Sequence, residues 1–426
     1  MRKVPRHLIC CAILAPSLLA VEAAGYAQSR DPWADARARM VEYEVVAAGV
    51  QDARAINAIR AIPRHEFVPR SLQRYSCFDM GLPIGEGQTI SSPFTVAYMT
   101  EQLQPQPTDK VLEVGTGSGY QAAVLSGLVA EVYSIEIVES LGRRAAKTLE
   151  RLNYSNVRTK IGDGYQGWPE HAPFDKIIVT CSPEEVPEPL VKQLKEGGRL
   201  VVPLGRRYQQ TLYLFKKADG KLQSDRLQPT FFVPMMGQAE KERKVLAEGS
   251  EPELLNGDFQ RVERGQPTGW YYLRQGRVGA SGRAEGDKCL TLRNGTPGRA
   301  AMALQPLGID GRSVREIEVS AWVRGRAIRS GAFAGQRPAL AVVLFNSDRE
   351  SIHAQGIGPW FGTFPWIQQR QRIKVPASTR FASVDINLWG ALGEISVTEV
   401  AVKVLATRRV DGSGPHQSPP SAAYAR

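Results

Sequence analysis

The sequence predicts an α/β half, with a doubly wound and mainly parallel sheet, followed by an all-β sandwich of the jelly-roll kind. Three observations predict this order. Up to about residue 240, short apolar strands alternate with helical segments, which indicates a parallel sheet covered on both faces. Beyond that point, apolar residues recur at every second position between Gly- and Pro-rich turns. The chain of 426 residues is also long enough for two or three domains of roughly 150 residues each.

Periodicity and capping residues predict the elements of the first half. The first expected helices are 33–49, 52–61 and 93–103. Asp52 and Ser92 are typical N-cap residues, and Pro93 suits the first position of a helix. The strands expected after them are 110–114, 131–136, 157–161, 174–180, 198–204 and 211–216, and the helices between them are 119–128, 139–152 and 187–194.

The second half is predicted from two alternating stretches. Residues 316–323 and 382–388 place apolar side chains at every second position, as strands with one buried face do. The Ser/Pro/Gly-rich end of the chain is typical of a disordered tail. The predicted parts are a leader, an α/β domain, a β-sandwich and a tail, at 1–27, 31–240, 250–408 and 409–426.

The composition is that of ordinary globular domains, but the charge is unevenly divided. Hydrophobic residues make up 42% and charged residues 23%, which excludes a wholly disordered chain and a collagen-like repeat. Residues 31–240 carry 24 basic and 25 acidic side chains, net −1, whereas residues 241–426 carry 26 and 17, net +9. The nearly neutral first half therefore argues against a nucleic acid as its partner.

The N-terminus has the pattern of a secretory signal peptide. A cationic start, residues 1–7, precedes a nearly uncharged stretch, and Gly25 and Ala27 are small residues before the expected cleavage point. A proline and a glutamate interrupt the apolar run, so a membrane span is the weaker interpretation. We predict cleavage after Ala27, export to the periplasm or the exterior, and no membrane span in the mature chain; the alternatives are an uncleaved anchor and a misassigned start.

Three cysteines follow the leader: Cys77, Cys181 and Cys289. Their odd number and long spacings do not form a disulfide framework. The chain has no CxxC motif and five histidines, so we predict no metal site. Cys181 is interpreted as a buried small residue rather than a nucleophile, because the sequence suggests no histidine partner near it.

A glycine-rich turn follows the strand at 110–114. Gly115, Gly117 and Gly119 lead from that strand into a helix, and small residues let a ligand approach the backbone at the carboxyl edge of a sheet. Glu136 ends the next strand, 21 residues after Gly115, where a carboxylate can accept both hydroxyls of a ribose.

The end of the third strand adds Asp163 and Gly164, which are placed to meet the edge of an adenine. Three strand ends that face one crevice favour a nucleotide-type cofactor. The alternative is a pair of ordinary turns and a solvated glutamate.

Residues from about 35 to 237 resemble the protein-L-isoaspartate O-methyltransferase family of class I methyltransferases, which depend on S-adenosyl-L-methionine. The matching segments are 68–69, 83–85, 87–93, 111–125, 174–180, 186–190, 194–205 and 232–235. The segment at 87–93, which reads GQTIS-x-P, is the most specific, because general methyltransferases share the glycine loop but lack it.

The resemblance implies a Rossmann-like fold and an enzyme that methylates the free carboxylate of isoaspartyl residues in age-damaged proteins or peptides. Repair then proceeds through a succinimide. In this family the serine at position 91 is the active-site residue. The implied cofactor-binding residues are Glu113, Gly115, Thr116, Gly117, Ser118, Gly119, Glu136, Asp163 and Gly164, and the implied substrate-binding residues are Thr89, Ile90, Ser92, Val233 and Pro234.

The chemistry asks little of Ser91 as a nucleophile. An isoaspartyl carboxylate has a reference pKa of about 3.3–3.7 and is already ionised at neutral pH, so no general base is required. We expect the Ser91 hydroxyl to hold the carboxylate together with backbone amides at the start of the following helix. The alternative is that Ser91 or Ser92 only caps that helix.

The start of the second half, residues 255–259 and 267–270, loosely resembles a carbohydrate-binding jelly roll of the galactose-binding type. Five of the seven tryptophans follow residue 240, and Trp360 with Phe361 is the predicted sugar-stacking pair. Two alternatives stay open: the rings fill the core of the sandwich, or the net charge of +9 attracts an anionic polymer.

Two other functions stay open. One is a methyltransferase with a different acceptor. The other is an exported binding protein whose methyltransferase half is inactive, since S-adenosyl-L-methionine is made in the cytosol and an exported enzyme needs a supply of it. A cytoplasmic location, as for the family in general, is the alternative to export.

Overall fold

The computed structural model describes residues 31–206, 209–242, 249, 252–263, 265–297, 299–331, 337–347 and 351–408. The predicted signal peptide, 1–27, and the predicted tail, 409–426, lie outside the described residues. Within the described ranges, no helix is both long and apolar enough to cross a bilayer.

The first half is built around one seven-stranded sheet. Its helices are α1 (Ala34–Met40), which continues as a π-helical segment (Val41–Val46), α2 (Ala53–Ala61), α3 (Pro93–Leu103), α4 (Tyr120–Ser126), α5 (Glu139–Arg151), α6 (Glu188–Gln193) and α7 (Gln238–Lys241), with 3-10 turns at Arg64–Phe67, Arg70–Tyr75, Gly164–Gln166 and Pro169–His171. Its strands are β1 (Leu82–Gly85), β2 (Gln88–Ile90), β3 (Lys110–Val114), β4 (Glu131–Glu136), β5 (Val157–Ile161), β6 (Phe174–Val179), β7 (Leu194–Arg206), β8 (Gln209–Ala218) and β9 (Lys221–Thr230).

The strand order in this sheet is β5-β4-β3-β6-β7-β8-β9. The first five strands in that order are parallel, and β8 and β9 join them antiparallel. Strands β1 and β2 form a separate hairpin. Strands β4 and β5 lie on one side of β3 in the sheet, and β6 and β7 lie on the other side. The direction in which successive strands are added therefore reverses at β3.

Helices pack on both faces of the sheet, which explains the continuous apolar strands of the sequence. Val111 of β3 joins a core that includes residues of α2 to α5. Its neighbours Leu112 and Val114 join a second core on the opposite face, with Leu190 of α6. The predicted α/β fold with a doubly wound, mainly parallel sheet is therefore confirmed.

The capping predictions also agree with the structure. Asp52 precedes α2, and its Oδ1 accepts a hydrogen bond from the Ala55 amide at 2.8 Å. Ser92 precedes α3, and Pro93 occupies the first helical position.

The β1–β2 hairpin, β9, the short helix α7 and the 3-10 turns of this half were not predicted. The edge strand β9 is polar and largely exposed over residues 221–226, so it carries no apolar run. Edge strands are commonly kept polar in this way, which hides them from a search for hydrophobic periodicity.

The second half consists of antiparallel strands, as predicted. They are β10 (Val262–Glu263), β11 (Gln266–Pro267), β12 (Tyr271–Arg274), β13 (Gly276–Ala280), β14 (Lys288–Asn294), β15 (Met302–Gly308), β16 (Val314–Arg329), β17 (Ala339–Phe345), β18 (Ser351–Ile357), β19 (Gly362–Lys374), β20 (Phe381–Asn387) and β21 (Leu392–Thr407). Two five-stranded sheets result, in the orders β12-β15-β20-β17-β18 and β13-β14-β21-β16-β19. Val319 and Leu290 of one sheet and Val342 and Val384 of the other belong to a single hydrophobic core.

The predicted role of Trp360 in sugar stacking is wrong. Its ring is buried in the core of the second half, and its Nε1 donates to Gln369 Oε1 at 2.8 Å. Trp270 is buried in the same core. Phe361, the other member of the predicted pair, is half exposed. A sugar can stack only on a ring face that solvent reaches, and the ring of Trp360 is packed inside the core.

Candidate active site

A cavity of about 750 Å³ lies at the carboxyl ends of β3, β4 and β6. The winding of the sheet reverses there, and doubly wound sheets bind ligands in such a crevice. The predicted site residues that line it are Thr89, Ile90, Ser91, Glu113, Gly115, Thr116, Gly117, Ser118, Glu136, Gly164, Val233 and Pro234. The other three predicted residues, Ser92, Gly119 and Asp163, are not among its lining.

Gly115 begins the glycine-rich loop and has no room for a side chain. Its φ is +104°, and a Cβ atom would lie 2.5 Å from the Thr180 hydroxyl oxygen. That hydroxyl donates to the Gly115 carbonyl at 2.7 Å and to the Val114 carbonyl at 3.0 Å. The loop is therefore tied to the end of β6, and its backbone faces the cavity.

Glu136 at the end of β4 holds the same loop from the other side. Its Oε2 accepts the Gly117 amide at 2.7 Å, and its Oε1 accepts the Val138 amide at 2.9 Å. Burial raises the pKa of Glu136, and hydrogen bonds from the backbone amides of Val138, Gly117 and Ile137 oppose that rise. Three donors leave lone-pair capacity on this carboxylate for a ligand hydroxyl.

Glu113 on β3 is a fully buried carboxyl beside the cavity. Its Oε2 accepts the Ser134 hydroxyl at 2.5 Å, whereas its Oε1 has no hydrogen-bond partner among the described residues. Burial raises its pKa to about 8. Gln121 on α4 likewise lines the cavity and leaves its Oε1 unpartnered within the described part of the chain. Buried polar atoms are nearly always satisfied, so these two oxygens indicate a ligand with hydrogen-bond donors.

Ser91 and Ser92 have different surroundings. Ser91 is half buried and lines the cavity. Ser92 is fully buried; its Oγ accepts the Thr95 amide at 3.3 Å and lies 3.0 Å from the Thr95 hydroxyl. Ser92 is thus the helix cap, and its position does not match the predicted contact with substrate.

The amides of the first turn of α3 are already occupied. The Phe94 amide donates to Asp79 Oδ1 at 2.8 Å, and Ser92 takes the Thr95 amide. Pro93 has no amide hydrogen to offer. The Phe94 and Thr95 amides are therefore not available to an acceptor carboxylate, and binding of that carboxylate beside Ser91 stays a prediction.

Asp163 and Gly119 shape the site from outside its lining. Asp163 Oδ1 accepts the Tyr165 amide at 3.0 Å, and its Oδ2 accepts the Gln238 amide, at the start of α7, at 2.8 Å. Gly119 is the residue before α4. Direct contact of Asp163 with an adenine stays a prediction.

Sequence reasoning missed part of the lining. The additional residues are Gln88, Val96, Val114, Tyr120, Gln121, Ile135, Ile137, Thr180, Cys181, Met235 and Met236. Thr180 and Cys181 follow β6, the parallel neighbour of β3. Ligands bind at the carboxyl ends of such strands, so the position of these two residues in the sequence could have predicted that they line the site. The segment near Met235 joins the site through its backbone: the Ser182 amide donates to the Val233 carbonyl at 2.7 Å.

Cys181 is buried, as predicted. Burial raises the pKa of its thiol, and the nearby carboxyls of Glu136, Asp163 and Glu113 raise it further. The reactive form of a cysteine is the thiolate, so this thiol is not poised as a nucleophile.

The family model of protein-L-isoaspartate(D-aspartate) O-methyltransferase matches residues 36–240. A relative from Opitutus terrae, named protein-L-isoaspartate O-methyltransferase, is 52% identical over 199 residues, which are 46% of this chain and 85% of the relative. The chain belongs to the protein-L-isoaspartate O-methyltransferase family. The family resemblance stated from the motifs is confirmed.

Another protein-L-isoaspartate O-methyltransferase, from Pelotomaculum thermopropionicum, is 47% identical over 52% of this chain and 97% of its own length. A solved protein-L-isoaspartate O-methyltransferase structure is 34% identical and covers 53% of this chain and 75% of its own, with a TM-score of 0.44. These matches cover about half of the chain, and the family model ends near the last residue of the α/β half.

Proposed function

We propose that the α/β half transfers the methyl group of S-adenosyl-L-methionine to the free carboxylate of isoaspartyl residues in damaged proteins, and that Ser91 binds this carboxylate. Membership of a family of methyltransferases supports the activity and the cofactor. One observation carries the proposal for the site. Ser91, the glycine loop and Glu136 line one and the same cavity.

The lining of the cavity fits S-adenosyl-L-methionine. The cavity is lined by a glycine-rich loop, a strand-end carboxylate and several apolar side chains, and small-molecule sites typically combine an apolar lining with a few placed polar groups. The loop at Gly115 and Gly117 would hold the cofactor along its backbone, and Glu136 would accept the ribose hydroxyls. The unpartnered oxygen of Gln121 would accept from a donor of the cofactor, and the unpartnered oxygen of Glu113, whose carboxyl is mostly protonated at pH 7, would exchange a hydrogen bond with it. When bound, this cofactor supplies an electrophilic methyl group on a sulfonium.

The residues that bind the acceptor need to hold a carboxylate that is already ionised, and they do not need to remove a proton from it. The isoaspartyl carboxylate is ionised at neutral pH, with a reference pKa of about 3.3–3.7, so Ser91 transfers no proton. Its hydroxyl donates one hydrogen bond and keeps the carboxylate in line with the methyl group. The rate then depends on orientation and on exclusion of water by the apolar lining, including Ile90 and Val233.

Methyl transfer from labelled cofactor to an isoaspartyl peptide tests this function. We expect base-labile label on that peptide and none on the matched aspartyl peptide. Ser91→Ala should lower kcat/KM by about 10- to 100-fold, since a hydrogen bond to a charged group is worth about 1.5–3 kcal/mol. Ser155→Ala, at an exposed serine that does not line the cavity, is the matched control and should leave kcat/KM unchanged.

Two outcomes would favour the alternatives. Cofactor binding without transfer to the isoaspartyl peptide would indicate a different acceptor. Absence of cofactor binding would leave an exported binding protein with an inactive methyltransferase half as the better account.

Export is proposed from the leader pattern alone. Residues 1–27 should be absent from the mature protein, and the mature protein should be found outside the cytoplasm. N-terminal sequencing of the protein from separated cell fractions tests both points. An intact N-terminus in the cytoplasmic fraction would support the usual location of the family instead.

For the second half we propose an anionic polymer as partner. Arg293, Arg326 and Arg329 line an open cleft of about 1330 Å³, in which Glu394 is the acidic lining residue. The excess of positive charge in this cleft agrees in sign with the net +9 of residues 241–426. Burial of Trp360 has meanwhile removed one ring of the pair predicted to stack on a sugar.

Sedimentation with polygalacturonate, against neutral dextran as control, tests this partner. We expect binding to polygalacturonate that weakens with salt and is lost when the three cleft arginines are changed to glutamine. Equal binding to dextran, or binding that the triple substitution leaves intact, would contradict the proposal.

A further inference from the structure

We infer that the second half of the chain positions the acceptor-binding segment of the first half, and that Arg274 is the positioning residue. The inference rests on the proposed function, because it assigns Ser91 to the acceptor side of the cavity. It gives the second half a role in catalysis in addition to any partner that it binds.

Arg274, at the end of β12, reaches from the second half into the first. Its Nε and Nη2 donate to Asp79 Oδ2 at 3.1 and 2.9 Å. The other oxygen of the same carboxylate accepts the Phe94 amide at 2.8 Å. The Arg274 side chain is 8% exposed and that of Asp79 is 1% exposed, so this ion pair is shielded from solvent. One carboxylate therefore links the second half to the first turn of α3.

Two more contacts reach the same turn. The Arg274 guanidinium lies over the Phe94 ring, with 4.0 Å from Cζ to the ring centroid. The Tyr272 hydroxyl, also on β12, hydrogen-bonds the Thr95 side chain. The Thr95 hydroxyl in turn lies 3.0 Å from the Oγ of Ser92. Strand β12 thus holds the start of α3 through a charged contact, a stacked contact and a hydrogen-bonded contact.

All of these contacts fall within four residues of Ser91. Ser92 to Thr95 continue the chain directly from Ser91 and are fully or nearly fully buried. The position of Ser91 in the cavity follows from the position of this turn, because the backbone leaves little freedom over so short a distance. A small displacement of a positioned group is costly in enzymes, up to about 10²-fold in rate for about 1 Å.

The ion pair between Arg274 and Asp79 also compensates a buried negative charge close to the start of α3. Asp79 is a buried carboxylate that binds the amide of Phe94, and Phe94 lies three residues after Ser91 in the chain. The acceptor is itself an anion, and like charges in a shielded environment repel strongly. Arg274 neutralises Asp79 and thereby removes this penalty. Loss of Arg274 leaves the buried charge uncompensated.

The test compares wild-type protein with Arg274→Met, and uses Arg277→Gln as the control. Arg277 is an exposed arginine three residues further along the chain. In Arg274→Met we expect the KM for the isoaspartyl peptide to rise about tenfold or more, while the Kd for S-adenosyl-L-methionine changes less than twofold. Arg274→Lys, which keeps the charge but not the two-pronged contact, should give an intermediate KM.

Hydrogen exchange supplies a readout that does not need turnover. Amide exchange of the peptide that spans 88–97 should be faster in Arg274→Met than in Arg277→Gln, with the glycine-loop peptide at 111–125 unchanged. Where Arg274→Met fails to fold, Tyr272→Phe removes only the hydroxyl that bonds Thr95, and the same local increase in exchange is expected.

The possible failures are distinguishable. An active wild type whose KM and exchange at 88–97 are the same in Arg274→Met and Arg277→Gln would overturn the inference and leave the proposed function intact. A parallel rise of peptide KM and cofactor Kd would also overturn it, since that pattern indicates general loosening. An inactive wild type with faster exchange at 88–97 in Arg274→Met would contradict the proposed acceptor but support the link between the halves.

Discussion

At the scale of single residues, Glu113 shows how the fold sets the charge of the site. A carboxyl on a central strand has lost its water, and burial raises its pKa to about 8. The Ser134 hydroxyl opposes the shift, and the neighbouring carboxyl of Glu136 adds to it. Glu113 is therefore mostly neutral at pH 7, so the cavity carries less negative charge than its sequence indicates.

This shift predicts a loss of stability at alkaline pH. The folded protein binds the Glu113 proton up to about pH 8, whereas the unfolded chain releases it near 4.5, so folding is favoured below pH 4.5 and the advantage is lost as the pH rises through 8. In Glu113→Gln the melting temperature should fall less between pH 6 and pH 9 than in the wild type. Glu139→Gln, at an exposed residue, is the control, and equal pH dependence in all three proteins would contradict the assignment.

Gly115 is predicted to tolerate no substitution by alanine. A Cβ atom there would lie 2.5 Å from the Thr180 hydroxyl, and the φ of +104° is itself strained for alanine. We expect Gly115→Ala to lower the free energy of unfolding by about 1–3 kcal/mol and to weaken cofactor binding. Gly127→Ala, at a position with φ −79° and open space, should do neither. A Gly115→Ala protein with wild-type stability and cofactor Kd would show that the loop conformation is different from the one described.

At the scale of elements, two neighbouring serines at the start of α3 have different roles: Ser92 caps the helix, and Ser91 is the proposed acceptor-binding residue. Ser92→Ala removes the N-cap of the helix and should lower the free energy of unfolding by about 0.5–2 kcal/mol. Ser91→Ala should leave the free energy of unfolding unchanged and lower activity, since the described structure gives Ser91 no capping role. Urea unfolding and peptide methylation of both variants test the division. The reverse pattern would assign the cap to Ser91.

The elements also show what a sequence can predict. Strands β3, β4 and β5 have the predicted bounds, because each is an uninterrupted stretch between clear turns or helices. The β1–β2 hairpin and β9 were missed, since hairpin pairing and polar edges leave no apolar periodicity. The glycine loop and Glu136 were found because one motif places them close in sequence. Gln121 and Met235 adjoin predicted residues but were missed, because only the packing of α4 and of the segment around residue 235 places them against the cavity.

At the scale of the whole molecule, the two halves differ in charge and share a contact at the acceptor segment. The α/β half is nearly neutral and the second half carries net +9. Arg274 joins them at the first turn of α3. We propose that the second half binds an anionic polymer and that the first half modifies damaged proteins. In this account the second half also sets the geometry of the reaction.

The central claim is that this chain methylates isoaspartyl carboxylates. The most direct measurement is the ratio of kcat/KM for an isoaspartyl peptide to that for the same peptide with a normal aspartate, using the wild-type protein and labelled S-adenosyl-L-methionine. We expect transfer to the isoaspartyl peptide alone, so that no rate is measurable for the aspartyl peptide. Equal rates on the two peptides, or no transfer to either while the cofactor binds, would contradict the claim.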